Sequence, residues 1–432
     1  MKLVNSIIYI AFVFITVSCT FEEANIFPDT SAIRIEKTKK EYNNVLCSSS
    51  NGWVMEYFPN PTTEGYTFLV KFNTSGSAEI AGKNQYLGNK FTTDTCLFQM
   101  IADDGPVLTF NSYGKKGVLH LFANPKDPAG TTSMDGIGLG GDYEFIVIKA
   151  TQSEVKLKGK KWGSYVYLHK LADNQSWTQY FDLLDNMNDF LFKTTNNILN
   201  LIVNKDTLPS YYGTTHIFRI IKTGEDPLID GANYPFIVTT TGLRLYSPYI
   251  LNDFNMQNFV LSVDKKQLVS AENPAAYFTG PVLNKYLYSD LSLWKADAIQ
   301  MTDNFKSAIK TLGDALIVKY LGKRNFEYIA VTNKAIYANS ILIRVTGVDA
   351  LYRILFSPVS GTTDRIMISL PLDNTNLYDN NGKKFYTEVP AIKTTLDAFC
   401  GEYVVTSELP LNVKSVKYTR VDNPSQYFVV NR

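Results

Sequence analysis

Histidine, cysteine and tryptophan are the scarce residues of this chain: three, four and four among 432. The histidines, His120, His169 and His216, stand far apart, and none has a second histidine, a cysteine or an acidic residue at metal-ligand spacing. Zinc sites draw ligands from close pairs, so the motif level offers no metal centre, and each histidine reads as a satisfied or surface residue at a strand end. No serine elbow, histidine-paired helix or cysteine beside a histidine is present, and those are the arrangements that activate a nucleophile. Cys47, Cys96 and Cys400 are too few and too irregular for a disulfide framework and read as buried free thiols. Charge of one sign is missing too. The 42 lysines and arginines meet 41 aspartates and glutamates, and no basic stripe is interleaved with aromatics, which argues against nucleic acid as a partner.

Long hydrophobic runs are absent except at the start. Lys2 precedes the apolar run Ile7 to Val17, and Thr16, Val17 and Ser18 lead up to Cys19. A run of about eleven residues falls short of the roughly twenty that a helix needs to cross a hydrocarbon core, so it reads as a signal-peptide h-region. Cys19 stands where such a leader is cut, which makes it the expected lipidation site. Residues 1–18 are then a lipoprotein signal peptide and 19–30 a polar tether. One acyl chain binds a membrane marginally while two or more hold it stably, and a lipidated N-terminal cysteine carries several. The membrane is therefore an expected partner. Loss of Lys2 with the leader takes the net charge from +1 to zero.

A chain of 432 residues exceeds one ordinary core. Ile35, Thr38, Tyr42, Val45 and Leu46 share a helical face behind the cap candidates Asp29, Thr30 and Ser31. The period then switches to two at Tyr66, Phe68, Val70 and Phe72. Short strands are expected at 53–58, 107–110, 118–122, 143–149, 154–158 and 164–169, separated by turns too short for crossovers, so the sheet should be mainly antiparallel. A second helix begins near Ser176, with Trp177, Tyr180, Phe181, Leu184, Met187 and Leu191 on one face. A third follows the cap candidate Asp303, and a fourth runs from Pro390 to Cys400 before Gly401. The expected fold is α+β and β-rich, in two or three modules, each an amphipathic helix packed on mainly antiparallel sheet. The expected domains are 31–172 and 176–432, the second region dividing near 290–303.

Four ordered blocks carry a resemblance: Asn51 to Pro59, Asp103 to Leu108, Gly140 to Phe145 and Leu157 to Lys161. Together they resemble the Bacteroidota lipoprotein family named domain of unknown function 4302, best over the first 170 residues. The resemblance implies a secreted or surface lipoprotein without assigned activity, encoded beside outer-membrane nutrient-uptake pairs, and it supplies no functional residues. In such lipoproteins an acidic cluster behind the lipid cysteine accompanies surface display, and Glu22 with Glu23 is similar to a weak version. Asp206-Thr207-Leu208 likewise resembles a short O-glycosylation motif. The expected location is thus the outer membrane, lipid-anchored, at the cell surface.

The remaining candidates are few. Gly136 to Gly141 is followed by a strand and not by a helix, so it reads as a turn and not as a phosphate loop. Asp103 and Asp104 could hold calcium or cleave glycosides, but turn chemistry before Gly105 and Pro106 explains them. Asp373 to Gly382 has Leu377 where a calcium loop needs oxygen. Aromatic content of 13% suits β-rich cores and sugar-binding surfaces alike. Among Trp53, Trp162, Trp177 and Trp294, Trp177 belongs to a helix's apolar face, and Trp162, in a turn between Lys161 and Gly163, is the expected ligand contact. No cofactor is expected. Two functions stay open: a non-catalytic surface module binding a glycan or an uptake protein, and a glycoside or peptide hydrolase whose carboxylates the sequence does not mark.

Overall fold

The computed structural model describes residues 29–103, 105–127, 133–193, 197–290, 292–332, 339–371 and 379–432. Cys19 with its leader, the tether through residue 28, Asp104 and most of Asp373 to Gly382 lie outside the described residues.

Thr30 has extended backbone, and its hydroxyl accepts the Ile33 N–H at 3.4 Å, which caps helix α1 (Ser31–Cys47). The helix delivers Val45 and Leu46 into the core of a barrel, where the indole N–H of Trp53 donates to the Leu46 carbonyl at 2.8 Å. In strand β1 (Trp53–Tyr57) the two-residue period puts Trp53, Met55 and Tyr57 inside and Val54 outside, with Glu56 sharing Val54's side. The following strands are β2 (Tyr66–Phe72), β3 (Ser77–Gly82), β4 (Thr92–Ala102), β5 (Pro106–Phe110), β6 (Glu144–Ala150), β7 (Glu154–Gly159) and β8 (Tyr165–Lys170). Each pairs antiparallel with the next, and β8 returns to β1 with Met55 opposite Leu168, so the sheet closes on itself. Trp53, Tyr57, Phe68, Phe110 and Phe145 fill the interior, which makes it a packed core and not a channel.

The segment expected as a strand at 118–122 is instead helical: α2 covers His120–Ala123. Gly117 adopts φ +64 and its carbonyl accepts the Leu121 N–H at 2.8 Å, starting a turn that drops Val118, Leu119 and Phe122 into the barrel core. A short apolar run does not distinguish helix from strand by periodicity. His120 accordingly lies on this helix and not at a strand end.

Ser176 caps α3 (Trp177–Phe192), accepting from the Gln179 N–H at 3.5 Å. The helix has two jobs. Phe181 and Leu184 cover Val54, Leu69 and Ala81 on the outside of the first barrel, and Leu191 enters the core of a second. That second barrel comprises β9 (Ile198–Val203), β10 (Asp206–Tyr211), β11 (Ile217–Ile220), β12 (Ala232–Thr239), β13 (Gly242–Leu251), β14 (Phe254–Leu261), β15 (Leu268–Ser270) and β16 (Ala276–Thr279). It closes through β16 on β9 around the stacked rings of Phe218, Phe236 and Phe278, with centroids 4.4 and 4.8 Å apart.

The third sheet follows α4 (Leu283–Ser289). It contains β17 (Leu293–Met301), β18 (Phe326–Thr332), β19 (Ser340–Val345), β20 (Val348–Arg353), β21 (Leu355–Pro358), β22 (Arg365–Ser369), β23 (Gly401–Thr406), β24 (Ser415–Arg420) and β25 (Tyr427–Asn431). Their spatial order is β20-β19-β18-β17-β25-β24-β23-β22-β21. The two edges, β20 and β21, are separated in sequence only by Ile354, so the chain itself joins them around one core. The helices α5 (Asp303–Lys319), α6 (Asn380–Glu388) and α7 (Ala391–Phe399) belong to this module, and Leu312, Leu316, Leu396 and Phe399 enter its core. Thr302, not Asp303, is the α5 cap residue; Asp303 sits in the first turn, where its charge suits the helix N-terminus.

The fold is therefore α+β and β-rich, with antiparallel pairing throughout the three described sheets. Closure is the addition: two of the sheets are barrels, each entered by the last turn of a preceding helix. Cys47, Cys96 and Cys400 are unpaired. Only Cys96 is fully buried; burial pushes its thiol up to about 12, with the Asp94 charge adding to the rise. No helix of the described residues is long and apolar enough to cross a membrane.

Candidate functional site

Glu56 and Val54 point out of the first barrel because their neighbours point in, and Glu56 thereby meets the second barrel. Arg244 on β13 donates through its guanidinium to the Glu56 carboxylate, and the two residues are only 8% and 7% exposed. The guanidinium lies over the Tyr167 ring at 3.7 Å, and His169 Nε2 stands 3.6 Å from the same carboxylate. Burial works to raise the Glu56 pKa, but the neighbouring His169 and the Arg244 guanidinium outweigh it and hold the group below the usual carboxylate range.

A second polar cluster lies further along this seam. Gly65 donates its N–H to the Phe236 carbonyl at 3.1 Å, and a Cβ there would fall 2.7 Å from Ile237 Cβ, so only glycine allows the barrels this close. Beside it Glu64 accepts the Tyr66 hydroxyl at 2.9 Å and the His216 backbone N–H at 3.0 Å, with His216 Nδ1 at 3.4 Å. The other ring nitrogen, Nε2, is 2.9 Å from Asn188 Oδ1 on α3. Lys83 pairs with Asp185 across the same cavity of about 180 Å³. A carboxylate, an imidazole and a third polar group in line are the outline of a catalytic relay, but the third group is an amide and cannot attack. The cluster ties three elements together.

Burial lowers the His216 pKa against the opposing pull of Glu64, and it lowers that of His120 as well. Between that lowered value and the ordinary imidazole value of about 6.5, the unfolded chain binds a proton that the folded chain does not. Stability therefore falls as pH drops below about 6.5. The thermal midpoint should be lower at about pH 5.5 than at about pH 7.5, and His216→Gln should shrink the difference. A difference that the substitution leaves untouched would contradict this account of the seam.

A wide cleft, about 1040 Å³, separates β9 and β10 from α4 and Arg432. Tyr211, Pro209 and Pro281 give it apolar wall, while Asn200, Lys285 and Arg432 supply donors. Among the described residues lining it, Asp290 supplies the single side-chain carboxylate. Asp290 accepts from Arg432 at 3.1 Å and from the Trp294 indole at 2.9 Å, and Arg432 also donates to the Tyr286 hydroxyl at 3.0 Å. The Asp290 side chain is thus clamped between a guanidinium and an indole.

The residues singled out in the sequence are scattered. Trp162 is half-buried in the β7–β8 turn, its ring 3.7 Å from the Cβ position of Gly140 and 5.2 Å from Lys161 Nζ. Its N–H and that of Lys161 donate to Asp142, at 2.9 and 2.8 Å, so the turn is fixed. Trp162 lines neither the seam cavity nor the wide cleft. Trp53 and Trp294 are core residues, and Asp103 pairs with Lys160. Gly136, Gly138 and Gly140 all have positive φ in a turn. Thr207 of the glycosylation-like motif is exposed on β10 and lines the wide cleft. No group of three or more potential metal-ligating side chains occurs among the described residues. Sequence reasoning missed Glu56, Glu64, Arg244 and Asp290, each of which has a charged or histidine partner far away in the chain.

A family model described as Domain of unknown function (DUF4302) matches residues 23–263, more than half of the chain. No curated protein matches. Among solved structures, the β chain of DNA polymerase III from Streptococcus pneumoniae TIGR4 is similar at 9% identity, over 91% of this chain and 97% of that one, with a TM-score of 0.13. The Helicobacter pylori β clamp bound to 3,4-difluorobenzamide is similar at 12% identity, over 93% and 98%, with a TM-score of 0.13. At such TM-scores these likenesses carry no conclusion.

Proposed function

The chain belongs to the DUF4302 family, and from that premise we propose that it is a lipid-anchored, non-catalytic binding module of the Bacteroidota cell surface, working beside a nutrient-uptake system. The wide cleft carries this reading. It lies between two modules, where ligand sites concentrate, and combines apolar wall with a few fixed polar groups. The Asp290 side chain is committed to Arg432, and the seam carboxylates Glu56 and Glu64 are committed to Arg244 and His216. The leader ending at Cys19 and the acidic tether residues Glu22 and Glu23 support anchoring and surface display. Confinement to a membrane raises effective concentration, so a modest interface suffices.

The test is capture from the source membrane by the full chain. An uptake protein or its glycan cargo should be retained, and Tyr211→Ala with Lys285→Glu should weaken retention about tenfold or more, as for hot-spot residues of an interface. Trp162→Ala should weaken it less. Retention unchanged by the cleft pair would overturn the assignment to this cleft.

A further inference from the structure

Trp177 begins α3, and its apolar side joins the patch formed by Val54, Ala81 and Phe181. Its other surroundings are not core. Together with Glu79, Thr93, Thr95, Lys115 and Lys116 it lines an open groove of about 520 Å³ on the outside of the first barrel. The ring is held rigidly. Its Nε1–H donates to the Asn51 carbonyl at 3.0 Å, and the Asn51 side chain in turn holds the carbonyls of Ala172 and Gln175 at 2.6 and 2.8 Å. The opposite bank is fixed as well. Asp94 accepts the backbone N–H groups of Lys115, Lys116 and Gly117 at 2.8 to 2.9 Å, which pins the lysine loop beside the strand. Thr93 and Thr95 are exposed on β4, opposite Ala81 and Glu79 on β3.

The composition of this groove selects a class of ligand. Two lysines face two carboxylates, so neither an anion nor a cation gains from the net field. Hydroxyls, ammonium groups and carboxylates around the rim disfavour a wholly apolar molecule, because burying them without partners costs free energy. A pyranose ring meets both demands: it has an apolar C–H face for a fixed aromatic ring and hydroxyl edges for charged and hydroxyl side chains. The volume lies within the range of small-molecule sites.

We propose that this groove binds a short neutral oligosaccharide, with the Trp177 indole as its stacking platform and Glu79, Thr95 and the lysine pair as hydrogen-bonding rim. The inference deepens the binding reading above and places a glycan contact on the first barrel, away from the wide cleft.

The experiment titrates the full chain, in a detergent without a sugar headgroup, with neutral cello-, xylo-, manno- and malto-hexaose, following heat and tryptophan emission. At least one sugar should bind and shift the emission. Thr95→Arg, a change at an exposed strand position that leaves the core intact, puts a long cationic side chain into the groove and should weaken binding about tenfold or more, about 1.4 kcal/mol. Trp177→Phe should keep the fold and abolish the emission shift. No binding by any of the four sugars, or binding undisturbed by Thr95→Arg, would overturn the proposal. Membrane capture that persists in Thr95→Arg separates failure of this groove from failure of the binding reading.

Discussion

Arg244→Ala is expected to destabilise the contact between the two barrels by about 3–5 kcal/mol, the cost of removing one partner from a buried ion pair. The change leaves Glu56, 7% exposed, without its cation and leaves the Tyr167 face without the guanidinium above it. His169 remains near Glu56 but is more exposed and further away, at 3.6 Å. Replacing both partners by apolar residues should behave differently. Glu56→Leu with Arg244→Met removes both charges together and should recover most of the loss, because the pair's attraction largely offsets its desolvation and only the orphaned carboxylate is expensive. Unfolding of a three-module chain need not be two-state, so the readout is the first denaturant transition together with amide exchange in β1 and β13. A single variant within about 0.5 kcal/mol of the parent, the range of ordinary surface substitutions, would remove the seam from the account.

The second large effect concerns the anchor. Cys19→Ala is expected to abolish incorporation of labelled fatty acid and to move the protein from membrane to soluble fractions. Alanine offers no thiol to acylate, and the apolar run Ile7 to Val17, at about eleven residues, is too short to span the bilayer in its place. Each buried methylene contributes about 0.8 kcal/mol, so under the proposed anchoring the substitution takes away the main source of membrane affinity. Unchanged retention of the alanine variant would refute the anchor.

Local structure was largely legible in the sequence, and long-range structure was not. The cap at Thr30, the strand at Tyr66 to Phe72 and the helix after Ser176 follow from period and cap chemistry, which act over a few residues. The run Val118 to Phe122 failed because its apolar pattern fits helix and strand alike, and Gly117 with the barrel end decided for helix. Barrel closure pairs β1 with β8 and β9 with β16, contacts that no local pattern records. The same holds for the polar seams. Glu56 lies on a five-residue strand whose every position is buried, so alternation could not mark it as a partner for Arg244, 188 positions away. Trp177 was assigned to the apolar face of α3, and part of it does pack there; its exposure to the groove depends on β3, β4 and the lysine loop arriving beside it. Trp162 shows the converse: a turn position with exposed neighbours becomes half-buried once Asp142 draws the turn inward.

Binding without turnover is the central claim, and it is tested most directly by incubating the full chain with the neutral hexasaccharides and a set of peptides while recording bound ligand and released product together. The account predicts saturable binding of at least one ligand and no product above the rate without protein. Sustained product formation, lost on Glu64→Gln or Asp290→Asn in a protein that still folds, would contradict it and make the molecule a hydrolase.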